Sequence, residues 1–288
     1  MIYDAFPFLN EFEMLEIRLN VLAPHVDRFV IVEANQTHST LSAKDGFLFE
    51  KRKGDFRRFL DKIIYVRMDN EFETSQGVRR LGWTTRLRRI LTRYNFVKEN
   101  EAFQRNTILR GLKDARPDDA VLISDIDEII DPACLPRSLA MLKEHPVLAF
   151  DQKMYRYFLN NREQDFRWTR ARLTTCARAF ETTPHGIRKL NGLPLVPGGG
   201  WHFSSVGSIE ELVYKHQSYL HHDRCYKGRF RDPEALRALI EEKVLGQGLD
   251  IFPFMAESRY ALEEIDATFP AYLQANQERF AHLTGRRP

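Results

Sequence analysis

Asp125, Asp127 and Glu128 crowd three carboxylates into four residues, directly after the apolar run Val121-Leu122-Ile123. A short apolar run that breaks into charge reads as a buried parallel strand, with Asp125 and Asp127 emerging at its end. Ligands of open α/β sheets bind outside the carboxyl ends of strands, so a site is expected there. Two carboxylates one residue apart on an extended tip can both face one hard cation. Mg²⁺ or Mn²⁺ fits, because such ions take oxygen ligands and share themselves with substrate phosphates. The chemistry implied is the holding of a diphosphate leaving group. An Asp-x-Asp triplet arises by chance about once in a chain this long, the plain alternative being a solvated loop. The preceding strand and the third acid therefore carry the inference.

Other residues fall where they can join that centre. Glu33 ends the apolar run Arg28-Phe29-Val30-Ile31-Val32, on the same expected sheet edge, where a carboxylate can accept the N3–H of a uracil ring. Its plain alternative is a strand-end acid in solvent. Phe6, Asn10 and Glu11 lie where the first strand gives way to a helix and can border a nucleotide, although Asn10 equally suits helix capping. The triplet Gly198-Gly199-Gly200 lets a backbone approach a ligand closely. It ends on Trp201, whose face can stack on a sugar ring, and on His202, which can complete a metal shell or touch phosphate. Lys215, Ser218, His221, His222 and Asp223 form a further polar group at a helix end, where cations also suit the helix dipole. Lys215 and His221 can neutralise phosphate charge, and the histidine spacing matches no zinc pattern. Arg105 and Asn106 sit in a helical pattern expected to pack beside the acidic strand and can hydrogen-bond a donor. Arg86, Arg89 and Arg93 fall at helical spacing and make a basic stripe, either a solvated face or a contact for a membrane surface or lipid-linked acceptor.

Composition bounds the rest. The chain has 288 residues, a hydrophobic fraction of 43% and a charged fraction of 29%, as in ordinary soluble globular proteins. A net charge of +3 gives no case for nucleic acid as a partner. Cys134, Cys176 and Cys225 are far apart and odd in number, which suits a reducing compartment. The amino terminus has no basic segment followed by an apolar run, so no signal peptide is expected, and no apolar segment nears the roughly 20 residues that span a bilayer. The expected location is the cytoplasm, with peripheral contact at the inner face of the membrane through the arginine stripe.

Strand and helix patterns alternate early. Ile2 to Phe8, Arg28 to Glu33 and Lys62 to Val66 read as strands, with a helix from Asn10 to about Leu22 and another from about Lys98 to Leu112. Such alternation predicts an α/β fold, with a mostly parallel central sheet flanked by helices. After Pro132 a helix near Cys134 to Glu144 precedes Val147-Leu148-Ala149-Phe150. An aromatic-rich stretch from Tyr155 to Trp168 and a flexible glycine loop follow. Helical patterns return at Ser208 to Tyr219, Pro233 to Leu245 and Pro270 to Leu283. The organisation expected is a catalytic domain over residues 1–230, with a carboxyl-terminal helical extension, residues 231–288, packed on it.

Several segments together resemble glycosyltransferase family 17. They are Tyr3 to Glu11, Leu15 to Leu19, Val26 to Thr37, Glu101 to Asn106, Ile123 to Ile129 and Gly200 to Ser204, in order from the first residues towards Asp223. The resemblance implies a GT-A-like nucleotide-diphospho-sugar transferase fold and a divalent metal held by the Asp-x-Asp pair. It also implies inversion at the anomeric carbon, with N-acetylglucosamine moved from a UDP donor to a glycan or glycolipid acceptor. Lacking the amino-terminal anchor of the family's animal enzymes, the chain resembles a bacterial member acting in the cytoplasm, and the arginine stripe would suit an acceptor carried on a lipid diphosphate, as in surface-polysaccharide assembly. Ile130 stands where the family usually has proline, and the arginine-rich stretch between Trp83 and Glu101 is unusual. The base that takes the acceptor proton is left among Glu128, Asp165 and Asp223. Two rivals stand beside this. A nucleotidyltransferase would want a glycine-rich basic loop after strand one, where Phe6 to Asn10 has neither. A non-catalytic carbohydrate-binding protein would use Trp168, Trp201 and the Tyr155 to Phe158 aromatics.

Overall fold

The structure, a computed structural model, describes residues 1–40, 44–72, 96–218, 233–251, 255 and 257–286. Its strands in chain order are β1 (Ile2–Phe8), β2 (Arg28–Ala34), β3 (Ile63–Met68), β4 (Ala120–Ile123), β5 (Glu128–Ile130) and β6 (Val147–Phe150). There follow β7 (Gln152–Arg156), β8 (Asn161–Trp168), β9 (Arg172–Thr175), β10 (Leu195–Val196), β11 (Gly200–Ser204) and β12 (Tyr260–Leu262).

The first four strands are the apolar runs expected, and they pair in parallel in the order β3-β2-β1-β4. β1, β2 and β4 are buried almost throughout, as strands covered on both faces must be. Beyond β4 the sheet continues through β9, β6 and β10, with β9 antiparallel to both of its neighbours. The α/β architecture with a mostly parallel sheet is therefore present.

A second sheet, in the order β12-β8-β7-β11-β5, was not expected. Its strands are short or half-polar, and only β11 and β7 run parallel in it. Of the stretch expected as a flexible glycine loop, Gly198 lies in a turn and Gly200 begins β11. Gly200 has φ +113°, and a Cβ there would stand 2.2 Å from the Ile129 carbonyl oxygen. Glycine is required so that β11 can pair with β5; the close approach is to backbone, not to a ligand.

Helices fill in the rest. The helix Phe12–Leu22 starts one residue later than Asn10 capping requires, since Glu11 is the N-cap and makes no side-chain cap bond. The long helix expected from Lys98 to Leu112 is two, Phe96–Asn106 and Ile108–Gly111. Residues 231–288 are not purely helical, because β12 pairs with β8. Their buried Leu236, Ile240 and Val244 pack with Tyr157 and with Leu212 of the helix Ile209–Ser218. The expected boundary at 230 lies outside the described residues.

Candidate functional site

Strand order reverses at β1, which has β2 on one side and β4 on the other, and ligands of such sheets bind beyond the carboxyl ends of the strands at this switch point. The turn after β4 lies there. That turn is built around Arg18, a fully buried arginine on the helix Phe12–Leu22. Its Nε and Nη2 donate to the two oxygens of Asp4 at 2.8 and 2.5 Å, and Nη2 also donates to Ser124 Oγ at 2.5 Å. Nη1 donates to the carbonyls of Asp125, Ile126 and Glu128 at 2.7, 3.1 and 3.1 Å. One guanidinium thus fixes the backbone from which the three acids project.

The acids have different surroundings. Asp125 Oδ1 accepts from Arg105 Nη2 and Oδ2 from Arg188 Nη2, each at 2.7 Å. Burial pushes its pKa up, but Arg188 and Arg105 more than offset this and hold it below the usual carboxylate range. Asp127 is buried, with Oδ2 accepting from Lys215 Nζ at 3.1 Å and Oδ1 standing 3.4 Å from His202 Nε2. Burial again opposes ionisation, and Lys215 followed by His202 overcomes it. Lys215 is likewise pushed down by burial and raised by Asp127 and Glu11, with a net rise. Its Nζ is 3.5 Å from Glu11 Oε1, and Glu11 Oε2 accepts from the Leu9 and Asn10 amides. The loop after β1 is tied to the turn after β4 through that lysine.

Glu128 is fully buried. It accepts from both terminal nitrogens of Arg188, from Trp168 Nε1 at 2.5 Å and from the Asp125 amide at 3.0 Å. A carboxylate so enclosed braces the turn, and it is corrected here from a candidate base to a positioning group. Asp165, a second candidate, is exposed on β8. Asp223 and the donor candidate His221 lie outside the described residues, as do Arg86, Arg89 and Arg93.

Arg105, Lys215 and His202 therefore contact Asp125 or Asp127, Glu11 joins them through Lys215, and Asn10 through its amide on Glu11. Asn106 stands behind them: its Oδ1 accepts from the His185 amide near the start of the helix Pro184–Lys189, which carries Arg188. Three donor-binding expectations are corrected. Phe6 is fully buried beneath the Arg18 guanidinium, 4.3 Å from its ring centroid. Glu33 is fully buried and already accepts from Lys44 Nζ, the Leu48 and Phe49 amides and Tyr65 Oη, so no uracil edge can reach it. Trp201 is buried and donates its Nε1–H to the Thr268 carbonyl, on the face of the small sheet opposite His202.

The metal expectation is narrowed. Among the described residues no three His, Cys, Asp or Glu side chains converge on one point. Both oxygens of Asp125 are held by arginines, so it would give up one of those bonds to join a metal, as Asp127 would give up Lys215. Asp127 and His202 do fit: two donors each about 2.1 Å from one ion stand about 3 Å apart, close to the 3.4 Å between Oδ1 and Nε2. Such ions take one or two protein ligands and complete their shell with phosphate and water.

Arg18, Arg188 and the supporting Arg172 carry the site, although nothing in residue type or spacing marks them as site residues in the sequence. Arg172 Nη2 donates to the carbonyls of Arg188 and Leu190, which anchors the end of the Arg188 helix. Only Arg18 leaves a trace: it occupies a core position between Leu15 and Leu22, opposite an Asp4 embedded in an apolar strand.

The model of "Glycosyltransferase family 17" matches residues 1–284. Over 130 residues the chain is 29% identical to the β-1,4-mannosyl-glycoprotein 4-β-N-acetylglucosaminyltransferases of Rattus norvegicus and Homo sapiens. Each match covers 44% of this chain and 21% of the relative, so the chain aligns with about a fifth of their length. The solved structure of S. aureus TarS 1-349 aligns with a TM-score of 0.38 and 14% identity, over 86% of this chain and 73% of that one. With the family model spanning nearly every residue, the chain belongs to glycosyltransferase family 17.

Proposed function

We propose that this glycosyltransferase is a metal-dependent inverting enzyme that moves N-acetylglucosamine from a UDP donor to a carbohydrate hydroxyl. What carries the proposal is Asp127, buried at the carboxyl end of β4 with His202 on one oxygen and Lys215 on the other. Asp127 and His202 would hold Mn²⁺ or Mg²⁺. When bound, the ion supplies charge neutralisation to the departing diphosphate.

The chain's own groups do the rest. Lys215, released from Asp127, is a fixed cation for the leaving phosphates, and such preorganised charge is usually the largest part of a barrier reduction. Arg105 and Arg188 keep Asp125 ionised and its turn fixed. Asn10 and Glu11 border the nucleotide side of the site. The acceptor hydroxyl attacks the anomeric carbon from the face opposite the diphosphate, so its proton must pass to a base on the small-sheet side.

Calorimetric titration with UDP-N-acetylglucosamine, with and without Mn²⁺, tests this. Binding that needs the metal and is lost in Asp127→Asn is expected. Equal binding without metal, or in Asp127→Asn, overturns the metal assignment, and metal-dependent binding of a different sugar nucleotide corrects the donor.

A further inference from the structure

Next to His202, whose Nε2 stands 3.4 Å from Asp127, the small sheet presents an aromatic surface. Trp168 on β8 lies against the His202 ring, with centroids 4.6 Å apart, and its Nε1–H is fixed on Glu128. Phe166, two residues earlier on the same strand and so on the same face, stands 6.4 Å from the Trp168 ring. Phe166 is 42% exposed, although it is a large apolar side chain in a strand. Phe166, Trp168 and His202 thus form a row of rings leading from the solvent to the side chain next to Asp127.

The neighbourhood says which substrate meets this surface. Lys215, Glu11 and Asn10 draw the nucleotide and diphosphate to the β1 flank of Asp127, whereas β8 and β11 form the other flank. A hydroxyl attacking opposite the diphosphate comes from that second flank. Its ring has one face of C–H groups, which packs on an aromatic face through apolar contact, while its hydroxyls remain in water. Trp168 cannot swing aside, because Glu128 holds its indole nitrogen and is itself locked by Arg188.

We infer that Phe166 and Trp168 form the acceptor platform, on which a pyranose ring of the acceptor stacks with its attacking hydroxyl directed at the donor beside Asp127. This rests on the proposed glycosyl transfer. Phe166 is the specificity-determining residue, since it contacts the ring and braces nothing else described here, and Trp168 both contacts and is positioned.

Saturation-transfer NMR on the full chain, with UDP and Mg²⁺ present and chitotriose, cellotriose and mannotriose as probes, tests the platform. Saturation on the C–H protons of one ring face is expected for at least one probe. Phe166→Ala, an exposed substitution that spares folding, should weaken that probe about tenfold while leaving UDP affinity unchanged. Trp168→Phe, which keeps an aromatic face but loses the bond to Glu128, should retain probe binding. No binding of any probe to the unsubstituted chain, or equal binding by Phe166→Ala, overturns the platform. Loss of UDP affinity in the unsubstituted chain would instead overturn the proposed donor chemistry, and the sugar titration would still decide the platform.

Discussion

Arg18 and Asp4 form a two-pronged ion pair at 2.8 and 2.5 Å, with neither side chain exposed to solvent. A buried pair is costly to break from one side, because the remaining charge has no water to turn to. Arg18→Met should therefore cost about 3–5 kcal/mol. Adding Asp4→Leu removes the stranded charge and should recover most of that loss in a urea titration. Donor affinity should not recover, since the carbonyls of Asp125, Ile126 and Glu128 still lack their common donor. A stable double variant that binds donor like the natural chain would show that Arg18 serves the core and not the site.

Lys215 touches the same carboxylate that is proposed to meet the metal, so its removal should separate two effects. Lys215→Met should lower turnover by about 10²-fold, as loss of one preorganised charge on a leaving group does. Mn²⁺ affinity should hold or rise, because a competing cation has left Asp127. Steady-state rates and metal titration check this, and unchanged turnover would remove the lysine from the chemistry.

Much of this frame is legible in the sequence because burial on both faces leaves a mark. The runs Phe29 to Val32 and Val121 to Ile123 are apolar without interruption, and each ends on the acid or turn expected. The small sheet leaves no such mark. β5 is three residues long, β8 carries exposed Gln164, Asp165 and Phe166, and β11 hides behind a glycine triplet whose last member, Gly200, serves strand pairing. The second half of the site is illegible for a related reason. Arg188 rides on the six-residue helix Pro184–Lys189, too short for a periodic pattern, and reaches Asp125 across 63 positions of sequence. Glu33 shows the opposite failure: its place at the sheet edge is correct, but its partners come from residues 44–65, which no strand-end rule foresees.

That burial makes Glu33 a test of its own. Glu33→Gln keeps the shape but leaves Lys44 buried without its charge partner, which should cost about 3–5 kcal/mol. The Michaelis constant for the sugar nucleotide should stay unchanged in the folded fraction. A selective rise in that constant, with thermal stability preserved, would return Glu33 to the nucleotide site.

His185 links the site to pH. Its Nδ1 is 3.1 Å from Arg105 Nη1, and its pKa is pushed down to about 4 by burial first, then by Arg105 and Lys189. The ordinary value is 6.5, so between these two limits the unfolded chain binds a proton that the folded chain does not. Stability from this group is complete above pH 6.5 and is lost as pH falls towards 4. Urea midpoints measured across that window should therefore decline with acid, and His185→Gln should decline less steeply because it has no proton to take up. Asp125 and Asp127, both held below the usual carboxylate range, begin to lose their own stabilising contribution as pH falls through the unfolded carboxylate range, but they do so equally in both proteins and cancel in the comparison. Identical slopes for the two proteins would mean that His185 takes up its proton without disturbing Arg105.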